Sequence, residues 1–154
     1  MPAVTLCADC GICCDGGLFS SVSLEAEGLV AARKHHLPVV ETASGDSKFL
    51  LPCPALRGVL CAIYDERPEC CADFSCELLI QLDEEEVTAD EAREIIAATR
   101  AARERVSDVI GDTPWWTARR TALDAQRDNS SAHDEELLAD LNALEELIRV
   151  HFWG

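Results

Sequence analysis

The pattern of apolar and polar residues changes near residue 77. Before that point, short apolar runs alternate with Gly, Pro and Cys, whereas later apolar residues recur at helical spacing among Ala, Glu, Leu and Arg. Short runs between turn residues are typical of strands and loops, and the later spacing is typical of helices that bury one face. The pattern predicts an α+β, mostly α fold, in which a small irregular region with a short hairpin is followed by a helical part packed against it.

Two long helices are predicted in the second region. The first begins with a capping box of Thr88 and Glu91 and ends at Gly111, and its apolar stripe contains Ile95, Thr99, Ala102, Val106 and Val109 or Ile110. The second begins with Ser131 and Asp134 as capping residues, and its stripe contains Leu137, Leu141, Leu144 and Ile148. A shorter helix is expected between Pro114 and about Arg127.

One helix and one hairpin are predicted in the first region. The helix is expected to start near Ser23, which acts as the cap, with Glu27 in the first turn and with Pro38 ending it. Two apolar runs, residues 49–51 and 59–63, are joined by a segment that contains two prolines and a glycine. A small hairpin of these two runs is therefore expected.

Nine cysteines add candidate chemistry, and all of them lie between Cys7 and Cys76. The first residues lack the pattern of a secretory signal, and no segment has the roughly 18 apolar residues of a membrane helix, so we expect a cytoplasmic protein without membrane contact. Thiols in that compartment stay reduced and bind metal more often than they form disulfides. The net charge of -16 disfavours a nucleic-acid partner.

The first four cysteines lie within eight consecutive positions. Cys7, Cys10 and Cys13 have the spacing C-x2-C-x2-C, which lets a turning chain direct successive sulfurs at one centre. Cys14 follows directly, and because adjacent side chains diverge, its sulfur is expected to serve a different centre or a different metal of one polynuclear site. Together with four later cysteines they would make two four-cysteine sites for zinc or for cubane iron–sulfur clusters.

The run "CADCGICC" and the later "CAIYDERPECCADFSC" resemble the YkgJ-type cysteine-cluster proteins, the zinc- or iron-chelating CxxCxxCC family. The resemblance implies a metal-organised chelating region at residues 1–80. Residues 81–154, which it does not cover, are expected to be a helical extension within one compact domain. The resemblance implies eight metal ligands, which are Cys7, Cys10, Cys13, Cys14, Cys53, Cys61, Cys70 and Cys76. Cys71 stands where the family commonly has a basic residue, so its role is left open between a ligand, a resolving thiol and a small buried side chain.

The resemblance also bears on cofactor and activity. Members are often described as iron–sulfur oxidoreductases, so any enzymatic activity that the resemblance implies is of that kind. We prefer an iron–sulfur cluster over zinc, because of the C-x2-C-x2-C run and because Pro54 follows Cys53, as a proline follows a ligand cysteine in bacterial ferredoxins. A cluster implies a redox or electron-transfer role. The alternative is a structural zinc-binding interaction module or a metal-delivery module without catalysis.

Roles are also expected for several polar and aromatic residues outside the cysteine set. Arg67 is expected either to offset thiolate charge or to pair with Asp65 or Glu66 on the surface, and Tyr64 is expected to pack beside the cluster. The helical part is the candidate docking surface for a protein partner, through a patch with two tryptophans. Core anchoring is the preferred interpretation of those tryptophans, Trp115 and Trp116.

Overall fold

A computed structural model describes residues 3–128 and 132–154, and the chain divides into two compact units, Met1–Ser75 and Cys76–Gly154. The described strands all lie in the first unit, where they form small antiparallel sheets, and the second unit is helical. The predicted α+β, mostly α class is confirmed. Within the described residues, no helix combines the length and the apolar character needed to cross a membrane.

The first unit is built around a three-stranded antiparallel sheet in the order β1–β3–β2. Its helices are α1 (Ala3–Cys10), α2 (Ala26–Lys34) and α3 (Glu69–Ala72), and its strands are β1 (Ser21–Leu24), β2 (Val39–Glu41), β3 (Ser47–Leu50), β4 (Leu56–Arg57) and β5 (Leu60–Cys61). Phe49 of β3 lies opposite Val22 and Val39 and is almost fully buried. The core around it contains Leu24, Ala32, Leu37 and Ala55.

Two predictions in this unit are wrong in detail. Ser23 does not cap a helix, because it lies in β1 opposite Lys48; α2 starts after Glu25, which makes no side-chain cap. The predicted hairpin also has different strands. Residues 47–50 pair with β1 and β2, where they bury Phe49, and the hairpin is formed by β4 and β5. Gly58 has a φ of 62° between β4 and β5, and this left-handed conformation suits a tight turn.

The second unit contains α4 (Glu77–Asp83), α5 (Ala89–Ile110), α6 (Trp115–Arg127) and α7 (Ala132–Ile148), and a π-helical turn follows at Arg149–Trp153. The capping box at the start of α5 is confirmed: the Glu91 backbone N–H donates to Thr88 Oγ1 over 3.2 Å, and the Thr88 N–H donates to Glu91 Oε2 over 2.7 Å. The helix is followed by Gly111, as predicted. The predicted cap at Ser131 and the side chain of Asp134 lie outside the described residues.

The buried faces of α5 and α7 differ from the predicted stripes by one residue at their first positions. Helix α5 buries Ile96 rather than Ile95, followed by Thr99, Ala102 and Val106, and Val109 is 55% exposed. Helix α7 buries Leu138, Leu141, Leu144 and Ile148, so Leu138 takes the place predicted for Leu137. Both adjacent positions are apolar, and the sequence spacing admits either one.

Trp115 of α6 belongs to the core of the second unit, whereas Trp116 is half-buried. Trp115 is 2% exposed and stacks on Trp153, with ring centroids 6.1 Å apart. Arg119 donates to Asn142 Oδ1 over 2.8 Å and pairs with Glu145 at 2.8 Å, which joins α6 to α7. A partner surface centred on Trp115 does not fit this burial, so the structure supports core anchoring for Trp115.

Candidate metal centre

The CxxCxxCC run is shaped by the end of α1 and by Gly11. Helix α1 carries Cys7 and Cys10, and the chain then turns at Gly11, which has a φ of 72°. A Cβ at this position would lie 3.1 Å from the carbonyl oxygen of Val59. The run thus passes directly beside the β4–β5 hairpin, which carries Cys61. Only glycine fits this close approach without strain.

The next turn of the run is fixed by local hydrogen bonds. The Asp15 N–H donates to the Gly11 carbonyl over 3.0 Å, and the Gly17 N–H donates to Asp15 Oδ1 over 2.6 Å. The carbonyl of Cys14 accepts from the Cys53 N–H over 2.7 Å. This last bond holds the end of the CxxCxxCC run against Cys53, which is 39 positions later in the chain.

Several thiols of the first unit are close enough to influence one another's ionisation. Burial and the negative charges of Cys61, Cys53, Cys7 and Asp15 raise the pKa of Cys14 to about 12. Burial also raises the pKa of Cys7, and the charge of Cys61 adds to that effect. Without a cation these thiols therefore stay protonated and neutral, and a bound cation would displace their protons and stabilise the thiolates.

Cys53 and Cys70 are supplied with backbone donors. Burial raises the pKa of Cys53, and hydrogen bonds from the N–H groups of Ala55 and Leu56 oppose this effect. Burial likewise raises the pKa of Cys70, while a hydrogen bond with the Cys71 side chain opposes it. Backbone N–H groups directed at sulfur stabilise a thiolate, which is the form that binds a metal.

Arg67 and Tyr64 stand beside the cluster. The Arg67 guanidinium lies 3.8 Å from the centroid of the Tyr64 ring, and Arg67 Nη1 donates to the Tyr64 carbonyl over 2.6 Å. Burial raises the pKa of Cys7, and the positive charge of Arg67 lowers it. Glu66 pairs instead with Lys34 at 3.1 Å and with His35 at 2.9 Å. Of the two predicted roles for Arg67, this arrangement favours the offset of thiolate charge.

The remaining predicted ligands occupy three different places. Cys10 is buried at the end of α1, and Cys13 is half-buried in the turn that follows. Cys76 is buried at the start of the second unit, where it precedes α4 and its carbonyl accepts from the Leu79 N–H. Their assignment as ligands stays a prediction.

The thiols of the first unit are not arranged as a preformed metal site. Within residues 3–128 and 132–154, no three His, Cys, Asp or Glu side chains already converge closely enough to hold one ion. The chemistry of the clustered donors nevertheless fits a thiophilic metal, because free thiols lie within electrostatic reach of one another and receive backbone hydrogen bonds. A bound metal would therefore require the sulfurs of these cysteines to move closer together.

Cys71 is the cysteine of this region to which the family pattern assigns no role. Cys71 packs against the same hydrophobic core as Cys53 and Cys70, and it interacts electrostatically with Cys14 and Cys53. Its position directly after Cys70 was the available signal, since a pair of adjacent cysteines also occurs at Cys13 and Cys14.

Comparison with known proteins identifies a family for the part of the chain that contains the cysteines. A family model described as "CxxCxxCC: Putative zinc- or iron-chelating domain" matches residues 6–95, which is more than half of the chain. The match spans the cysteines from Cys7 to Cys76 and extends into α5. No curated protein and no solved structure matches the chain significantly.

Proposed function

The chain belongs to the CxxCxxCC family of zinc- or iron-chelating domains, and from this premise we propose that its cysteines form a thiolate metal centre with a redox role. The observation that carries the proposal is the mutual electrostatic interaction of Cys7, Cys14, Cys53 and Cys61, which come from three separate parts of the first unit. Thiols from separate segments that influence one another's ionisation are the soft donors that a thiophilic metal needs once it displaces their protons.

The residues proposed to hold the metal are the eight of the family pattern. They are Cys7, Cys10, Cys13, Cys14, Cys53, Cys61, Cys70 and Cys76. Bound iron and sulfide would supply one-electron chemistry, whereas bound zinc would supply a rigid link without redox activity. Around either, Arg67 offsets thiolate charge, and the N–H groups of Ala55 and Leu56 stabilise the Cys53 thiolate. The requirement for reduced thiols favours a cytoplasmic location.

An iron–sulfur cluster is the proposed occupant. Its support is the C-x2-C-x2-C run of Cys7, Cys10 and Cys13 and the Cys53–Pro54 pair. The test is anaerobic purification of the full chain, with iron, zinc and acid-labile sulfide measured per chain and an electron paramagnetic resonance spectrum taken after reduction. Iron and sulfide in equal amounts with a reducible signal are expected. Stoichiometric zinc without sulfide would overturn the redox role and leave chelation standing.

Aerobic expression often loads zinc into thiolate sites, so the metal supply has to be controlled. Protein made with added iron and protein made with added zinc are compared by thermal unfolding. The native metal is expected to give the higher transition temperature, because metal binding is coupled to folding in such sites. A reduced, folded protein that takes up neither metal would refute the chelating function as a whole.

A metal-delivery module is the second candidate, and the exposure of the thiols favours it. Seven of the nine cysteines are half-buried, and the two buried ones are Cys10 and Cys76. Cysteines that are only half-buried are more accessible to an incoming chelator than those of a closed structural site. Exchange with excess chelator distinguishes the two roles: delivery predicts rapid, concentration-dependent loss of metal from the folded protein, and a structural site predicts loss only at the rate of unfolding.

A further inference from the structure

Trp153 stays largely in contact with solvent, although it belongs to the aromatic cluster of the second unit. Its ring stacks on buried Trp115, with centroids 6.1 Å apart, yet 46% of the residue is exposed. Val150 lies in the same π-helical turn and is 40% exposed. Large apolar side chains gain free energy by leaving water, and exposed tryptophans are enriched at protein interfaces. Turns of π-helix are also frequent at functional sites.

Helix α4 extends this apolar surface. It packs against the π-helical turn, and a Cβ at Gly154 would lie 2.9 Å from Glu77 Oε2, so the residue after Trp153 touches the first turn of α4. Ile80 follows Glu77 by one helical turn and is 39% exposed. We call the three exposed apolar residues Ile80, Val150 and Trp153 the Trp153 surface.

The apolar side chain of Ile80 is surrounded by carboxylates along α4. Glu77 lies three positions before it, and Asp83 and Glu84 lie three and four positions after it, which makes all three its neighbours on the helix surface. Asp83 and Glu84 are exposed. The sequence has no lysine or arginine at positions 77–92. The Trp153 surface therefore has a negatively charged rim on the side of α4.

This rim favours a positively charged occupant. Arg149, the cation of the π-helical turn, already pairs with Glu146 at 2.8 Å. A second copy of the chain would bring its own net charge of -16, and nucleic acid would be repelled as well. A lysine or arginine side chain would be attracted both by the carboxylates and by the ring of Trp153, because an indole is the strongest aromatic partner of a cation.

We propose that the Trp153 surface docks a basic amphipathic segment of a partner protein. The apolar side chains of that segment cover Ile80 and Val150. Its lysine or arginine side chains meet the ring of Trp153 and the carboxylates of Asp83 and Glu84. The proposal concerns the second unit alone and does not depend on which metal the thiols bind. It gives the helical part of the chain a role in recognition.

The test titrates an amphipathic peptide of leucine and lysine into the reduced, ¹⁵N-labelled full chain. A leucine–glutamate peptide of the same length is the control probe. The indole N–H resonances of the tryptophans are followed by NMR, and Trp153→Phe assigns the resonance of Trp153. We expect the leucine–lysine peptide to shift this resonance to saturation, with binding that weakens as salt is added. The leucine–glutamate peptide should leave it unchanged.

Two variants test the apolar part of the surface. Trp153→Ala should weaken binding by about tenfold or more, as a central tryptophan does at protein interfaces. Because Trp153 also stacks on Trp115, Ile80→Gln tests the surface without touching that stack and should weaken binding by about threefold or more. Val109→Gln is the matched control, since Val109 is a 55% exposed apolar residue of α5 in the same unit, and it should have no effect.

A double variant tests the rim. Asp83→Asn with Glu84→Gln removes two carboxylates, so it should weaken binding of the leucine–lysine peptide and make the remaining binding less dependent on salt. Asp108→Asn with Asp112→Asn removes the same charge from two other exposed positions of the unit and is the matched control. Equal losses in the two double variants would show that only the net charge matters and would overturn docking at this surface.

Other outcomes would also overturn the proposal. They are an unshifted Trp153 resonance with the leucine–lysine peptide, equal binding of the leucine–glutamate peptide, and an equal loss in Ile80→Gln and Val109→Gln. Self-association of the peptide-free chain that Ile80→Gln abolishes, measured by sedimentation velocity, would assign the surface to a second copy. Binding to phosphatidylcholine vesicles that Ile80→Gln abolishes would assign it to a lipid surface. In each case the proposed metal centre would be unaffected.

Discussion

Arg67 lies across the ring of Tyr64, with its guanidinium carbon 3.8 Å from the ring centroid, and its charge acts on the thiol of Cys7. Among the residues that the structure describes, buried Arg67 Nε finds no hydrogen-bond partner. A buried N–H donor beside a thiol is well placed to stabilise the thiolate that metal binding creates. Arg67, held on the ring of Tyr64, thus links this part of the chain electrostatically to Cys7, the first cysteine of the CxxCxxCC run.

Replacing Arg67 with glutamine should weaken the metal centre. Without the guanidinium, the pKa of Cys7 rises further, so less thiolate is available to bind. We expect iodoacetamide to react more slowly with Cys7 in the metal-free protein, and metal affinity to fall by about tenfold. Arg67→Lys should recover part of both effects, because it keeps the charge. Arg33→Gln, which makes the same charge change on exposed α2, is the control; an equal loss there would refute the local explanation.

The Cys70→Ser variant tests the ligand assignment in α3. Serine cannot replace a thiolate ligand, and metal binding contributes to folding, so the variant should lose metal and much of the stability of the first unit. Metal analysis and thermal unfolding with and without added metal are the measurements. Ala72→Ser adds a hydroxyl to the same helix at an exposed position and should change neither. Full metal content in Cys70→Ser would remove this residue from the ligand set.

Gly11→Ala should destabilise the first unit by about 1–3 kcal/mol, since the position combines a φ of 72° with a Cβ that would lie 3.1 Å from the Val59 carbonyl oxygen. Gly45→Ala is the matched control, because Gly45 has a φ of 88° but open space around its Cβ position. It should cost about 1 kcal/mol from backbone strain alone. Urea unfolding of the metal-free protein measures both, and equal costs would show that the approach to Val59 is not restrictive.

Thr88→Ala should lower the free energy of unfolding of the second unit by about 1 kcal/mol, because it removes the hydroxyl that accepts from the Glu91 N–H. Thr121→Ala is the control. Its hydroxyl donates to the Thr117 carbonyl inside α6, where alanine is the better helix former, so no loss is expected. Chemical unfolding followed by tryptophan fluorescence compares the two, and equal losses would contradict the capping role.

The elements that could be predicted from the sequence are those with a local cause. The capping box of Thr88 and Glu91, the stop at Gly111 and the start of α6 after Pro114 depend on residues within a few positions of each other. The pairing of Phe49 with Val22 and Val39 joins distant segments, so the sequence spacing did not predict it. Ser23 shows the same limit, since its role is decided by pairing with Lys48 and not by its own capping propensity.

The candidate centre likewise has features that the sequence predicts and features that depend on the fold. The cysteine spacing pointed to a cluster, and the electrostatic interactions link six of the nine thiols. The neighbours of Cys71 depend on how α3 packs on the core with Cys53, which no spacing rule describes. Arg67 and Tyr64 are three positions apart, so their stacking has a local cause. The proximity of Arg67 to Cys7 is instead a consequence of the fold.

The metal-free protein should lose stability in alkaline solution. Burial and neighbouring thiolates raise the pKa of Cys14 from 9.0 to about 12. Above about pH 9 the unfolded chain ionises this thiol while the folded chain keeps it protonated, so the unfolded state binds fewer protons and the free energy of unfolding falls as pH rises towards 12. Urea unfolding of reduced protein across this range measures the slope, and Cys14→Ala should make it shallower. Metal affinity should change in the opposite direction and strengthen with pH, because binding displaces thiol protons. An alkaline slope that is the same in Cys14→Ala and in the wild type would show that Cys14 ionises in the folded chain as it does in the unfolded one.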